Sequence, residues 1–264
     1  MGLDAQHGPL VRHTAASASH LAGRGSRLLV TLWIAAAAHC LAPAAAAQST
    51  PPCRLALLLA FDVSASVSAR EYQLMMRGTA SALIDPQVRA AIFAGPPVAL
   101  AAYVWAGRRE QAIAAFWSVI HHPEDLAEFA DRIGSFPRPL ADPLRIWGGR
   151  TGVGAALAAG ERLIRNGPTC DAQTLDVAGD GPSNDGPESA RLEGITVNAL
   201  AIGGDIPLDH YEGTAGLSLW YAEYVLQGPG AFVMIADGYE DFAAAMQRKL
   251  LRELMPPLLG ALTR

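Results

Sequence analysis

Six stretches of the sequence have the apolar character of buried strands, and segments with helical periodicity separate most of them. These stretches are residues 55–61, 98–105, 111–120, 173–178, 195–202 and 231–235. The first is apolar at every position, which is typical of a parallel strand that is covered on both faces. Strands that alternate with helices favour a mostly parallel sheet with helices on both sides.

Apolar residues at helical spacing predict helices after several of these strands. A capping box, Ser68 with Glu71 three residues later, begins the first helix, and the pair Asp85-Pro86 is expected to end it. Further helices are predicted over residues 123–133, 151–165, 219–226 and 239–254.

The second and third strands are expected to form a hairpin. Only Gly107-Arg108-Arg109-Glu110 separates them, and a connection this short permits antiparallel pairing only. The sequence therefore predicts an α/β fold with a doubly wound, Rossmann-like, mostly parallel six-stranded sheet that contains one antiparallel strand.

Residues 1–47 are predicted to be a secretory signal peptide. Three arginines precede an apolar run over residues 28–41, and Ala45-Ala46-Ala47 then offers a small-residue cleavage site. The apolar run is shorter than the about 20 residues of a membrane span, and a retained anchor is the alternative. Residues 48–264 are then expected to form a single domain, in the periplasm or outside a bacterial cell, with no membrane span after cleavage.

Composition and charge argue against nucleic acid as a partner. The chain has 264 residues, of which 20 are basic and 25 acidic, for a net charge of −5. Loss of residues 1–47, which hold three Arg and one Asp, leaves 17 basic and 24 acidic residues and a net charge of −7. The sequence has no basic stripe and no cluster of basic and aromatic residues.

Oxygen-bearing side chains occur where a metal site is expected. Asp62, Ser64 and Ser66 follow the first strand, Thr151 begins a helix among glycines, and Asp180 follows the fourth strand between two glycines. In a doubly wound sheet these positions meet at one rim. Hard divalent cations prefer oxygen ligands, and a cation would offset the repulsion between the two carboxylates. The sequence therefore predicts a divalent metal site, with ordinary helix capping as the alternative for each residue.

Two further acidic residues, Asp205 and Asp209, follow the fifth strand and are expected at the same rim. They are interpreted as residues that modulate the site or contact a partner. Capping of a helix is the alternative for both.

The five predicted ligands carry a resemblance to the von Willebrand factor type A (VWA) domain. Asp62-x-Ser64-x-Ser66, Thr151 and Asp180 are similar, in chain order, to the metal-ion-dependent adhesion site (MIDAS) of that family. The resemblance implies that the three hydroxyls contact the metal directly and that the two carboxylates act through water. It also implies an antiparallel strand at one edge of the sheet and a coordination position for a carboxylate of a partner protein. Mg2+ is the expected ion, with Mn2+ and Ca2+ as alternatives.

More narrowly, the chain resembles a group of secreted bacterial proteins, the domain-of-unknown-function family 1194 (DUF1194). Residues 176–187, 228–232 and 248–254 carry this resemblance. It implies a fold and a site without an established biochemical role. One departure from many VWA domains is Ala65, where glycine is common.

Two cysteines, Cys53 and Cys170, remain after the predicted cleavage, and an isolated pair in an oxidising compartment is a disulfide candidate. The VWA resemblance makes the strands that lead to Asp62 and Asp180 parallel neighbours. Cys53 lies nine residues before Asp62 and Cys170 lies ten before Asp180. The resemblance thus implies a Cys53–Cys170 bond at the rim opposite the metal, with two free thiols as the alternative.

The resulting hypothesis is a non-enzymatic module that uses its metal to bind an acidic group of a protein partner. A metal-dependent hydrolase, with Asp62 as nucleophile or with a metal-bound water, is one rival. Against it, the sequence has no second carboxylate two residues beyond Asp62, no glycine-rich phosphate loop after the first strand and no Gly-x-Ser-x-Gly elbow. A metal-stabilised structural subunit of an envelope assembly is the other alternative.

Overall fold

The computed structural model describes residues 53–139, 149–203 and 216–255. The strands in these ranges are β1 (Leu55–Asp62), β2 (Val98–Trp105), β3 (Gln111–Ile120), β4 (Ala172–Gly179), β5 (Thr196–Ile202) and β6 (Val233–Ala236). The helices are α1 (Ala69–Ile84), α2 (Pro86–Ile92), α3 (Pro123–Ser135), α4 (Val153–Arg165), α5 (Leu217–Tyr224) and α6 (Phe242–Leu254). The predicted signal peptide, Asp205 and Asp209 lie outside the described residues.

The six strands form one sheet in the order β3-β2-β1-β4-β5-β6. Neighbouring strands are parallel throughout, except that β2 and β3 form an antiparallel hairpin and β3 is an edge strand. The predicted fold class and the predicted antiparallel edge are therefore confirmed. In the β1–β4 ladder Phe61 lies beside Ala178, so the residues that follow these two strands emerge together at one rim.

Helices cover both faces of the sheet. On one face, apolar side chains of α1, α2, α3 and α6 form a core cluster that includes Leu57, Leu59 and Phe61 of β1. On the other face, those of α4 and α5 form a second cluster that includes Leu58 and Ala60. Successive side chains of a strand point to opposite faces, and β1 is therefore buried along its whole length. This is the physical reason for its unbroken apolar sequence.

Helix α2 was not predicted from the sequence, although the strands and the other helices lie within three residues of their predicted bounds. The pair Asp85-Pro86 ends α1, as predicted, and also begins α2. Asp85 Oδ1 accepts hydrogen bonds from the backbone N–H groups of Gln87 (2.8 Å) and Val88 (3.4 Å). Asp at the cap with Pro at the first helical position is a helix-start signal, and it identifies α2 in retrospect.

A disulfide bond joins Cys53 to Cys170, as predicted. The two Cα atoms are 4.7 Å apart, and the bond lies just before the β1–β4 ladder begins with Leu55 beside Ala172. The bond therefore ties β1 to β4 at the rim opposite Asp62. Among the described residues, no helix is long and apolar enough to cross a membrane.

Helix α4 packs closely on the sheet at Gly160. A Cβ atom at this position would lie 2.6 Å from Cδ2 of Leu175 and 3.0 Å from the hydroxyl of Tyr103. Because interiors are close-packed, a side chain here would push α4 away from β4. The glycine thus sets the position of α4, which begins two residues after Thr151.

Candidate metal centre

The loop after β1 turns its oxygen-bearing side chains towards the end of β4. Asp62 Oδ1 accepts a hydrogen bond of 2.8 Å from the backbone N–H of Ser64, which fixes the turn. The hydroxyl oxygens of Ser64 and Ser66 are 3.1 Å apart. The predicted capping box of Ser68 and Glu71 then begins α1 directly.

Ser66 connects this loop to the loop after β4. Its hydroxyl donates a hydrogen bond of 2.7 Å to Oδ1 of Asp180, and the hydroxyl of Tyr239 donates one of 3.1 Å to Oδ2. Hydrogen bonds therefore connect Asp62, Ser64, Ser66 and Asp180 into one group of oxygen-bearing residues. The sequence predicts Tyr239 as the first residue of the last helix, whereas the structure places it before α6, which begins at Phe242. The sequence therefore does not indicate its contact with Asp180.

Thr151 lies at the same rim and is held there by its backbone. Its N–H donates to the side-chain oxygen of Asn184 (2.9 Å), and its C=O accepts from the N–H groups of Asn184 (2.8 Å) and Asp185 (3.0 Å). The following residue, Gly152, donates to the C=O of Ala106 at the end of β2 (2.8 Å). Within the described residues the Thr151 hydroxyl makes no hydrogen bond. Hydrogen bonds thus join four of the five predicted residues to one another. Thr151 lies at the same rim, where separate hydrogen bonds to its backbone hold it in place.

The hydrogen bonds that hold the backbone around Thr151 are the part of the site that the sequence does not indicate. Ser183 adds to them, since its hydroxyl accepts a hydrogen bond from the N–H of Val153 (3.2 Å) and donates to the C=O of Thr151 (3.3 Å). Ser, Asn and Asp in a loop commonly form hydrogen bonds with nearby backbone groups. Their presence after β4 is the sequence feature that points to such bonds. One loop after β4 therefore provides Asp180 and also positions Thr151.

Asp62 carries an unsatisfied buried oxygen. Its side chain is fully buried, and Oδ2 has no hydrogen-bond partner among the described residues. Burial raises the pKa of Asp62 to about 8, and the nearby charge of Asp180 adds to the rise, whereas the hydrogen bonds from Ser64 lower it. A buried acceptor without a partner is costly, and a cation with its bound water would supply the missing interaction.

A buried tyrosine lies beside the same carboxylate. A Cβ atom at Gly179 would be 2.5 Å from the hydroxyl oxygen of Tyr221 and 3.2 Å from Asp62 Oδ2, so only glycine fits there. The Tyr221 hydroxyl is also buried and without a hydrogen-bond partner in the described ranges. Burial raises the pKa of Tyr221 well above its usual value, and the charges of Asp62 and Asp180 raise it further. Tyr221 therefore stays protonated and remains a hydrogen-bond donor.

The chemistry of these donors fits a hard divalent cation. The group consists of hydroxyl and carboxylate oxygens, which Mg2+, Mn2+ and Ca2+ prefer. Among the described residues, no three His, Cys, Asp or Glu side chains gather as a metal-binding group. The two described histidines, His121 and His122, follow the end of β3, and the pairing of Ile120 with Val98 places this end at the rim opposite the oxygen group. The donor set therefore differs from that of a zinc site built on His and Cys.

Residues 52–258 match the sequence model of the family described as protein of unknown function, DUF1194. The chain belongs to the DUF1194 family. No protein with a curated description matches the sequence of this DUF1194 chain.

Solved structures with a similar fold include proximal thread matrix protein 1 from the mussel byssus, a von Willebrand factor type A protein from Catenulispora acidiphila and the pilus adhesin SpaC from Lactobacillus rhamnosus GG. Their TM-scores are 0.51, 0.50 and 0.52, and their sequence identities are 18%, 12% and 12%. The matches cover 78%, 76% and 78% of the DUF1194 chain and 49%, 43% and 31% of the other chains. The chain thus spans less than half the length of each. The likeness shows that the DUF1194 domain has a VWA-like fold.

Proposed function

We propose that this DUF1194 domain binds a divalent cation at the rim formed by the ends of β1 and β4, and uses it to bind a carboxylate of a partner protein. The observation that carries the proposal is the buried carboxylate of Asp62, whose Oδ2 has no partner in the described structure. A cation beside Asp62 and Asp180 would offset the cost of placing two carboxylates together.

The ligand roles follow from the donor chemistry and from the resemblance to a MIDAS. Ser64, Ser66 and Thr151 would contact the cation, and Asp62 and Asp180 would hold it through water. The cation would therefore keep much of its positive charge, because its direct protein ligands are neutral hydroxyls. Mg2+ is the proposed ion, since it commonly keeps several waters and one of these can give way to a carboxylate of the partner.

The burial of the donors supports an open site. Asp62 and Ser64 are buried, whereas Asp180 is half-buried and Ser66 is exposed. The group is therefore closed towards the sheet and reachable from solvent, as binding of a second protein requires.

A binding role agrees with the names of two proteins of similar fold, a thread matrix protein and a pilus adhesin. We propose that the domain is not an enzyme. In the described part of the rim, no His or Lys lies beside the oxygen group as a general base would. We also propose a periplasmic or secreted location, which the Cys53–Cys170 disulfide supports because such bonds persist in oxidising compartments.

Calorimetric titration of Mg2+ tests the metal part of the proposal. We expect heat of binding in the wild-type chain, loss of that heat in Ser66→Ala, and unchanged binding in Ser135→Ala. Ser135 is the matched control, since its exposed hydroxyl donates a 2.7 Å hydrogen bond to the C=O of Asp131 at the end of α3. Equal heats in all three proteins, or none in the wild type, would contradict the proposal.

The partner part is tested by affinity capture from envelope fractions of the source cells, with Mg2+ or with EDTA. A protein captured through a carboxylate on the metal should bind the wild type and Ser135→Ala in Mg2+ only, and should not bind Ser66→Ala. Capture that neither EDTA nor Ser66→Ala changes would show that the metal takes no part in binding the partner.

A further inference from the structure

A second group of charged side chains lies between α6 and the sheet, and the proposed metal site does not use it. Lys249 of α6 is fully buried, and its Nζ lies 2.6 Å from Oδ1 of Asp176 on β4. The same Nζ lies 2.6 Å from Oε1 of Glu253, one turn further along α6. The side-chain amide of Asn198 on β5 donates a 2.7 Å hydrogen bond to this Glu253 oxygen. The amine therefore contacts two carboxyl groups inside the protein.

The identity of the buried cation is unexpected for this sequence. Lys249 is the only lysine among the 20 basic residues, and the other 19 are arginines. For a buried ion pair arginine is the usual choice, because its guanidinium binds a carboxylate through two hydrogen bonds. A primary amine differs in that it can lose its proton and attack a carbonyl carbon. The one position that keeps an amine is thus the position where an amine meets a buried carboxyl group.

The carboxyl group of Asp176 is buried and has few hydrogen-bond partners. Both of its oxygens are buried; Lys249 Nζ contacts Oδ1, and Oδ2 has no hydrogen-bond donor among the described residues. Burial raises the pKa of Asp176 to about 7, the Glu253 carboxylate adds to the rise, and Lys249 lowers it. A protonated carboxyl group is a better electrophile than a carboxylate, because its hydroxyl leaves as water.

The surroundings of the amine exclude water. The ring of Phe232 has its centre 5.2 Å from Lys249 Nζ, and the Arg252 guanidinium lies 3.8 Å from the same centre. The Phe232 N–H also donates a 3.2 Å hydrogen bond to the side-chain oxygen of Asn198. Asp176, Phe232 and Lys249 each come from one of the three segments that carry the DUF1194 resemblance. The three segments therefore meet at this group.

We propose that Lys249 and Asp176 condense into a side-chain amide, an isopeptide bond that links α6 covalently to β4, and that Glu253 transfers the protons. One proton passes from the Lys249 ammonium to the Asp176 carboxylate by way of Glu253, and Nζ of the resulting neutral amine attacks Cγ of Asp176, so that a C–N bond forms. Nζ then loses a second proton, which Glu253 carries to the departing hydroxyl; the C–O bond breaks and the oxygen leaves as water. One ammonium and one carboxylate thus become one neutral amide and one water molecule, without an oxidant or a cofactor.

Burial makes the amide more stable than the ion pair at this position. In water the separate ions are favoured because both are well hydrated. Here the Lys249 and Asp176 side chains are 0% and 1% exposed, so that this hydration is lost. Condensation removes both charges.

Tryptic peptide mapping of the reduced full chain by mass spectrometry tests the bond. Trypsin does not cleave after a lysine whose amine is blocked, so the wild type should yield peptide 166–191 joined to peptide 249–252. The mass of the joined species should be lower than the sum of its two parts by one water. Separate peptides in the wild type would overturn the bond, and this result does not depend on any variant folding.

Two matched variants test the role of Glu253. Glu253→Gln keeps the size of the side chain and loses its ability to carry protons, so the two peptides should be found separately. Glu161→Gln removes a second glutamate that pairs with a basic residue four positions away in a helix, Arg165 at 3.1 Å on the surface. This control should keep the joined peptide. A joined peptide in Glu253→Gln would overturn the role assigned to Glu253.

Discussion

Ser66 and Asp180 are joined by a 2.7 Å hydrogen bond although they lie 114 positions apart in the sequence. The bond connects the loop after β1 to the loop after β4, at the rim where these parallel neighbours end. Oxygen atoms from two distant segments are therefore held together before any cation is considered. The proposed metal site depends on this arrangement.

The support of Thr151 gives a prediction for Asn184. Replacing Asn184 with Ala removes the acceptor of the Thr151 N–H, a 2.9 Å bond, while leaving the proposed ligands in place. Residues that orient metal ligands typically contribute about 10- to 100-fold to metal affinity. We expect a loss of this size in a calorimetric titration of Mg2+.

Asn166→Ala is the control for Asn184→Ala. Asn166 bonds through its side-chain amide to the C=O of Arg162 (2.7 Å) at the other end of α4. Its substitution should leave Mg2+ affinity unchanged. The account of Thr151 would be wrong if both variants bound Mg2+ as tightly as the wild type.

The close contact of α4 with the loop after β4 predicts that adding a methyl group at Gly154 destabilises the fold. A Cβ atom at Gly154 would collide with the backbone oxygen of Pro187 and lie 2.8 Å from that of Ser189. Because backbone cannot move aside cheaply, Gly154→Ala should lower the free energy of unfolding by about 1–3 kcal/mol. Urea denaturation measures the change. Gly181→Ala, where a Cβ meets nothing within 4 Å, should change the stability little.

The disulfide predicts a loss of stability without a loss of metal binding. Replacing both Cys53 and Cys170 with Ser opens a loop that spans 117 residues and should cost about 3–5 kcal/mol in the free energy of unfolding. Mg2+ affinity should stay unchanged, because the bond lies at the rim opposite Asp62. Urea denaturation and calorimetry of the same variant test the two parts. A large drop in Mg2+ affinity, with the fold intact, would contradict this separation of the two rims.

The raised pKa of Asp62 predicts a pH dependence of the metal-free chain. Burial raises this pKa from 3.8 to about 8, so the folded state holds the proton more tightly than the unfolded state. The resulting stabilisation is complete below about pH 4 and is lost as the pH rises through about 8. Urea denaturation in EDTA should therefore show wild-type stability falling, relative to Asp62→Asn, across this interval. Parallel pH profiles for the two proteins would show that Asp62 does not titrate in this way.

Much of the fold was predictable because it depends on local patterns. Three features depend only on residues that are close together in the sequence. They are the apolar run of β1, the short turn between β2 and β3 and the cap at Ser68. The Cys53–Cys170 pairing needed the strand order as well, which the VWA resemblance implied.

The contacts that complete the site were harder to predict because they join residues distant in sequence. Tyr239 reaches Asp180 across 59 residues, and Asn184 reaches Thr151 across 33. A tyrosine near a helix start, or an asparagine in a loop, has many local explanations. Neither residue type indicates by itself which backbone or side chain it will meet.

The most direct test of the central claim is an anomalous-scattering map from crystals of the chain soaked in Mn2+, which replaces Mg2+ at oxygen sites. The proposal predicts one strong peak at the rim, bounded by the hydroxyls of Ser64, Ser66 and Thr151, with Asp62 and Asp180 in reach through water. The peak should be absent in Ser66→Ala crystals treated in the same way. A wild-type map without density at this rim would contradict the account, and these residues would then serve as helix caps and polar turn groups.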